Sequence, residues 1–161
     1  MTVRVPTICW NIRCSIGLNL LSRTIPILSG LKDISTISYC VKFFDKANMS
    51  SDNKFSLRTS TFEPRTIVFT VLNIMFDVLQ RDSNASFFFI GAEDERDLPG
   101  KATRRFRFYS NLVLSAISDK IFEHFRTDHL SLYVLVNKWY VKDMTDYVKR
   151  INNYVEQAMF E

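Results

Sequence analysis

The chain is poor in the residues that build tight turns. Only four glycines and four prolines occur among 161 residues, together far below the roughly 12% of an average protein. Such scarcity disfavours an all-β fold, whose many reversals require both residue types. The glycines stand at 17, 30, 91 and 100. Neither a dinucleotide fingerprint G-x-G-x-x-G nor a phosphate loop G-x-x-x-x-G-K-[ST] can therefore be written anywhere in the chain. A G-x-S-x-G nucleophile elbow is missing too.

Cysteine is equally sparse. Cys9, Cys14 and Cys40 are an odd number without C-x-x-C spacing, which excludes a dense disulfide framework and a zinc ribbon. Reduced thiols in a cytoplasmic protein are the expectation. Two histidines, His124 and His129, are five residues apart, whereas the metalloprotease H-E-x-x-H pattern needs four to place both rings on one helical face. Each stands beside a carboxylate, Glu123 or Asp128, the raw material of acid–base chemistry. Capping or solvated roles near a helix end are the simpler reading. Asp94 and Asp97 could hold magnesium, but a solvated acidic loop explains them as well. No metal, cofactor or catalytic set is expected, and the chain reads as a non-enzyme.

No uncharged run reaches the roughly 18 residues a membrane helix needs. The longest candidate, Cys14 to Leu31, is broken by Gly17, Arg23 and Pro26. Acidic residues are absent before Asp33, while Arg4, Arg13 and Arg23 punctuate the same stretch. Basic, acid-poor openings of this kind include leaders, but no A-x-A site follows. Residues 1–30 are read as an arm or extra strands packing on the domain or on a second copy, and residues 31–161 as one α+β domain.

What is abundant is phenylalanine: 14 residues in a chain that is 47% hydrophobic and 24% charged. A chain of this length buries roughly two-thirds of its unfolded surface, and large rings fill such a core efficiently. The net charge of +4 is unevenly placed. Residues 1–60 carry +5 and residues 61–161 carry −1, so the better-patterned part lacks the general basic footprint of a nucleic-acid binder.

Patterning supplies the elements. Ile34 to Phe44 alternates as a strand, the polar run Asp45 to Asn53 turns, and Phe55 to Thr59 alternates as its partner. Behind Glu63-Pro64, Ile67, Val68, Val71, Leu72, Met75, Val78 and Leu79 repeat at three-four spacing, which predicts a helix ending near Arg81. Phe87 to Ile90 is apolar at every position, as in a strand covered on both faces. An acidic stretch (Glu93 to Asp97) and the Pro99-Gly100 turn lead to a second helical pattern from Thr103 to about Phe125. Ser131 to Val136 reads as a strand and Met144 to Met159 as a terminal amphipathic helix. The expected architecture is a mixed or antiparallel sheet of about four to five strands with about three helices packed against it, in the order β-β-α-β-α-β-α.

One feature conflicts with local physics. Arg104, Arg105 and Arg107 crowd the first turn of a helix, where the macrodipole favours negative charge and exposed cations each cost roughly 0.3–1 kcal/mol. Either the acidic stretch Glu93–Asp97 folds back on them, or Thr103, Arg104, Arg105 and Arg107 form an anion site for a phosphate. Phe106, Phe108 and Tyr109 could stack on bases, although their helical spacing also suits a core.

The same segment carries a resemblance. Phe89, Gly91 and Ala92, then Thr103, Arg104, Arg105, Phe106, Arg107, Phe108 and Tyr109, form F-x-G-A followed by T-[KR]-R-F-R-x-Y. With Val71, Leu72, Met75, Phe76 and Asp77 before them, they resemble a group of small uncharacterised bacterial and phage-related proteins. The resemblance spans residues 30–140 and implies an intact cytoplasmic α+β domain, without an activity. The functional expectation is a cytoplasmic accessory protein acting through protein contacts and self-associating as a homo-oligomer. The alternative is nucleic-acid or nucleotide-phosphate binding through the arginine cluster.

Overall fold

The computed structural model describes residues 8–10, 16–23, 38–45, 50–51, 64–93 and 95–160. Among the described residues six strands and three α-helices are formed: β1 (Ile8–Trp10), β2 (Ile16–Arg23), β3 (Ser38–Asp45), α1 (Pro64–Arg81), β4 (Ser86–Ile90), α2 (Arg104–Ala116), β5 (Phe122–Thr127), β6 (Leu132–Asn137) and α3 (Met144–Phe160). The class is α+β, as the patterning predicts, and the sheet is mixed. Hydrogen-bonded neighbours run β1-β2-β3 in the first part of the chain and β4-β6-β5 in the second. The chain divides into two compact units, residues 1–87 and 88–161.

In residues 1–87, strands appear within the first thirty residues. β1 pairs antiparallel with β2, and β2 with β3 over eight residue pairs from Ile16↔Asp45 to Arg23↔Ser38. The strand expected over Phe55–Thr59 and most of the Asp45–Asn53 turn lie outside the described residues. α1 begins at Pro64, whose missing N–H costs nothing in a first turn. Of its expected stripe, Ile67, Val68, Leu72, Met75 and Val78 are buried and Val71 and Leu79 half-buried, and Ile74 joins the buried set. Tyr39 of β3 donates its hydroxyl to Asp82, just beyond α1, at 3.1 Å, and its ring packs against Phe87 with centroids 5.8 Å apart. Burial, and secondarily the Asp82 carboxylate, push the Tyr39 phenol up to about 12.

In residues 88–161, β6 is buried at every position from Leu132 to Asn137. It pairs antiparallel with β5, from Phe122↔Asn137 to Thr127↔Leu132. Strand alternation then sorts the residues by face. Phe122, His124 and Arg126 share a face with Asn137, Leu135 and Tyr133. Glu123, Phe125 and Thr127 share the other with Val136, Val134 and Leu132. On the first face Phe106 of α2 meets the Tyr133 ring. On the second, Thr127 donates to Asn152 of α3 at 3.1 Å. The two helices thus cover opposite sides of the β5–β6 pair, which explains a strand hydrophobic almost throughout. α3 buries Val148, Ile151 and Val155.

One expected element is corrected. The helix predicted from Thr103 to about Phe125 ends at Ala116, and Phe122–Thr127 is strand β5. The order becomes β-β-β-α-β-α-β-β-α. Ile121, Phe122 and Phe125 continue a three-four spacing by coincidence. The turn at Ser118–Ile121 breaks the helix, and the antiparallel partner β6 supplies backbone hydrogen bonds in place of helical ones. β4 matches expectation in position, but its cover thins along its length: Phe87 and Phe88 are buried while Ile90 is 36% exposed.

Candidate functional site

α2 starts where three segments meet. Thr103 is its N-cap, in extended conformation, and its Oγ accepts the Phe106 N–H at 3.2 Å. The same hydroxyl donates to the Gly91 carbonyl at 3.2 Å. The Thr103 N–H donates to the Ser131 Oγ at 2.9 Å, and the Ser131 carbonyl accepts the Gly91 N–H at 2.8 Å. Ser131 holds this position with φ at +49°, the left-handed region, while closing the short 3-10 turn Asp128–Leu130. Thr103 and Ser131 are both buried. Thr103 and Ser131 thereby tie the end of β4 to the start of α2 through four hydrogen bonds.

Gly91 is required there for a steric reason. A Cβ on it would lie 2.5 Å from the Phe106 Cβ, 2.6 Å from the Thr103 Oγ and 2.8 Å from the Phe106 Cα. Backbone approach between the end of β4 and the first turn of α2 is possible only without a side chain. The residues of the F-x-G-A and T-R-R-F segments are accordingly placed as packing and capping groups: Gly91 for the approach, Thr103 for the cap, and Phe106 as a fully buried ring.

The acidic stretch does fold back on the helix start, but onto backbone. Asp97 accepts the Arg104 N–H at 2.8 Å, supplying the negative charge the macrodipole favours. With Thr103, Arg104 and Phe106 already donating to the protein's own groups, and Arg107 N–H bonded to the Thr103 carbonyl, few first-turn donors remain for an outside anion. Asp94 lies outside the described residues, so the magnesium pair is not assembled among them. No group of three or more His, Cys, Asp or Glu side chains suited to a metal occurs among the described residues.

The arginines themselves point outward. Arg104 and Arg107 are exposed and Arg105 half-buried, and none makes an ion pair with a described residue. They head a stripe of exposed positions at helical spacing: Arg104, Arg107, Phe108, Asn111, Leu114 and Ser115. Phe108 is 40% and Leu114 56% exposed. The Phe108 ring sits edge-on to Tyr109 with centroids 5.4 Å apart, so it is partly fixed in place. Burial raises the Tyr109 phenol, opposed by the charge of Arg105.

A second polar cluster lies against the buried side of α2. Tyr133 is fully buried, stacked on Phe89 at 5.3 Å and tilted against Phe106 at 6.4 Å. Its hydroxyl lies 2.7 Å from Nδ1 of His124. The Arg126 guanidinium covers the Phe106 ring at 5.3 Å. His124 Nε2 is buried without a hydrogen-bond partner. Burial lowers the His124 pKa, aided by Lys138 and opposed by Glu123, Asp119 and a backbone contact with Ile117 too poorly aligned to count as a full hydrogen bond. The neutral imidazole is therefore the folded form near neutrality. Adjacency in sequence did not make a His–carboxylate pair here: consecutive strand residues point to opposite faces, and Glu123 bonds Lys138 at 2.8 Å instead. His129 Nε2 lies 3.6 Å from Glu156, both well exposed. The His124–Tyr133 contact is not legible in the sequence because the expected helix extends to about Phe125 and takes in His124. The alternation Phe122, His124, Arg126 was the available signal.

No protein family, curated protein or solved structure matches the chain.

Proposed function

We propose that the protein is a non-catalytic accessory protein that acts through protein contacts and self-associates. The observation carrying this reading is the exposure of large apolar side chains on outer helical faces. Phe69 and Phe76 of α1, two turns apart on one face, are 64% and 54% exposed. Leaving two such rings in water forfeits roughly 1.5–3 kcal/mol each relative to burial, and exposed apolar groups in register mark contact surfaces. Cys40 is buried and forms no disulfide with a described residue, which agrees with a reducing, cytoplasmic setting, and no helix among the described residues is long and apolar enough to cross a membrane. Size-exclusion chromatography with light scattering tests self-association. A mass above that of the 18.8 kDa chain, reverting in the F69S/F76S double variant, is the expected result. A clean monomer at micromolar concentration removes self-association from the reading.

A second reading, binding of nucleic acid or nucleotide phosphate through Arg104, Arg105 and Arg107, is favoured by the lack of carboxylate partners for these guanidinium groups among the described residues. It predicts strongly salt-dependent oligonucleotide binding, abolished when the three become alanine.

A further inference from the structure

Within the protein-contact reading, on which this inference rests, we propose that the outer face of α2 docks an acidic, apolar segment of a partner protein. The face runs from Arg104 to Ser115, about 17 Å along the helix axis. Its N-terminal end is cationic (Arg104, Arg107) and its remainder apolar or neutral (Phe108, Asn111, Leu114, Ser115). From Leu98 to Ser118 the chain contains no Asp or Glu but four cations, Lys101, Arg104, Arg105 and Arg107. Among the described residues, the Asp97 carboxylate reaches the helix start through the Arg104 N–H, and none of Arg104, Arg105 and Arg107 makes an ion pair with a described residue. The face therefore offers uncompensated positive charge at one end and apolar area along the rest.

A ligand that satisfies both carries carboxylates and large apolar side chains within a few turns of one another, as an acidic amphipathic helix does. Nucleic acid fits less well. Residues 88–161 hold eleven Lys/Arg and eleven Asp/Glu, so no broad positive field surrounds the arginines. Leu114, the more exposed of the two apolar residues on the face, has no ring for a base to stack on.

The test uses the full-length chain and a fluorescein-labelled helical peptide of about 15 residues, long enough to cover the face, with Leu and Phe at three-four spacing and Glu elsewhere. Three controls accompany it: the same peptide with Lys for Glu, the same with Ser for Leu and Phe, and a labelled single-stranded oligonucleotide of equal negative charge. Anisotropy should give micromolar binding of the acidic apolar peptide, at least tenfold weaker binding of each peptide control and of the oligonucleotide, and amide shift changes confined to the segment around residues 104–115. R107E and L114S should each weaken binding about tenfold or more while leaving the circular dichroism melt in place; R107K should restore most of it. Absence of peptide binding overturns the inference. Peptide-induced shifts at Phe69 and Phe76 instead also overturn it, but leave the protein-contact reading standing. Tighter binding of the oligonucleotide, lost in R107E, overturns the inference and that reading for this face together.

Discussion

Two polar clusters in residues 88–161 share the contact between Phe106 and Tyr133, yet they are completed differently. At the Gly91–Thr103–Ser131 junction each buried hydroxyl and amide has a partner within 3.2 Å. At His124–Tyr133 the hydroxyl and Nδ1 satisfy each other at 2.7 Å, while buried Nε2 has no well-aligned partner beyond the nearby Ile117 backbone. Both sit among packed rings, so the difference is not one of burial. The junction is built from short side chains and backbone, whose donors and acceptors can be matched locally. An imidazole presents two nitrogens on opposite sides of a ring, and β5 positions only one of them over Tyr133. A buried polar group without a partner costs roughly 1–3 kcal/mol, which makes the second cluster the weaker and the one sensitive to protons.

The largest expected effect comes from breaking the junction sterically. Gly91→Ala inserts a methyl group at 2.5–2.8 Å from three atoms, two of them at the base of Phe106, which cannot swing aside. A loss of about 3 kcal/mol or more is expected, read from urea midpoints at unchanged m-value. Thr103→Val keeps the shape but removes the cap acceptor for Phe106 N–H and the donor to the Gly91 carbonyl. About 2 kcal/mol is expected, and Thr103→Ser should recover most of it.

The other cluster should respond to pH. Because burial lowers the His124 pKa, the unfolded chain takes up a proton near 6.5 while the folded chain resists. The contribution of the neutral ring is complete above pH 6.5 and is lost as pH falls from there through the folded pKa. Denaturation midpoints should decline over that interval. Replacing both partners, in H124F/Y133F, removes donor, acceptor and unpartnered nitrogen together. Stability at pH 7.5 should change by less than about 1 kcal/mol, and the His124 share of the decline should vanish. A decline of unchanged size would assign it to other groups.

The reach of the sequence differs along the chain for the same kind of reason. α1 and α3 were legible because a three-four apolar stripe is a local property, and the stripe seen in Ile67 to Val78 is the one buried. β5 was not, because Ile121, Phe122 and Phe125 fit helical spacing equally well and only pairing with β6 distinguishes the two. The arginine cluster is legible as a conflict with the helix dipole, with the acidic stretch or an outside anion as its two possible answers. Which atom Asp97 would reach was invisible, since a carboxylate can neutralise a helix start through backbone N–H as well as through guanidinium.

The sequence by itself determined the α+β class, the extents of α1, β4 and α3, and the exclusion of phosphate-loop and dinucleotide motifs, because each depends on residue type and short-range spacing. Tertiary structure decided the fate of the middle of the chain. It made Gly91 indispensable through a contact with Phe106 fifteen residues on, closed the start of α2 with Ser131, and set His124 against Tyr133 across two strands. It also left Arg104, Arg107, Phe108 and Leu114 facing water on one side of α2. Those outcomes depend on which segments approach each other, and contact between distant segments is governed by packing rather than by local propensity.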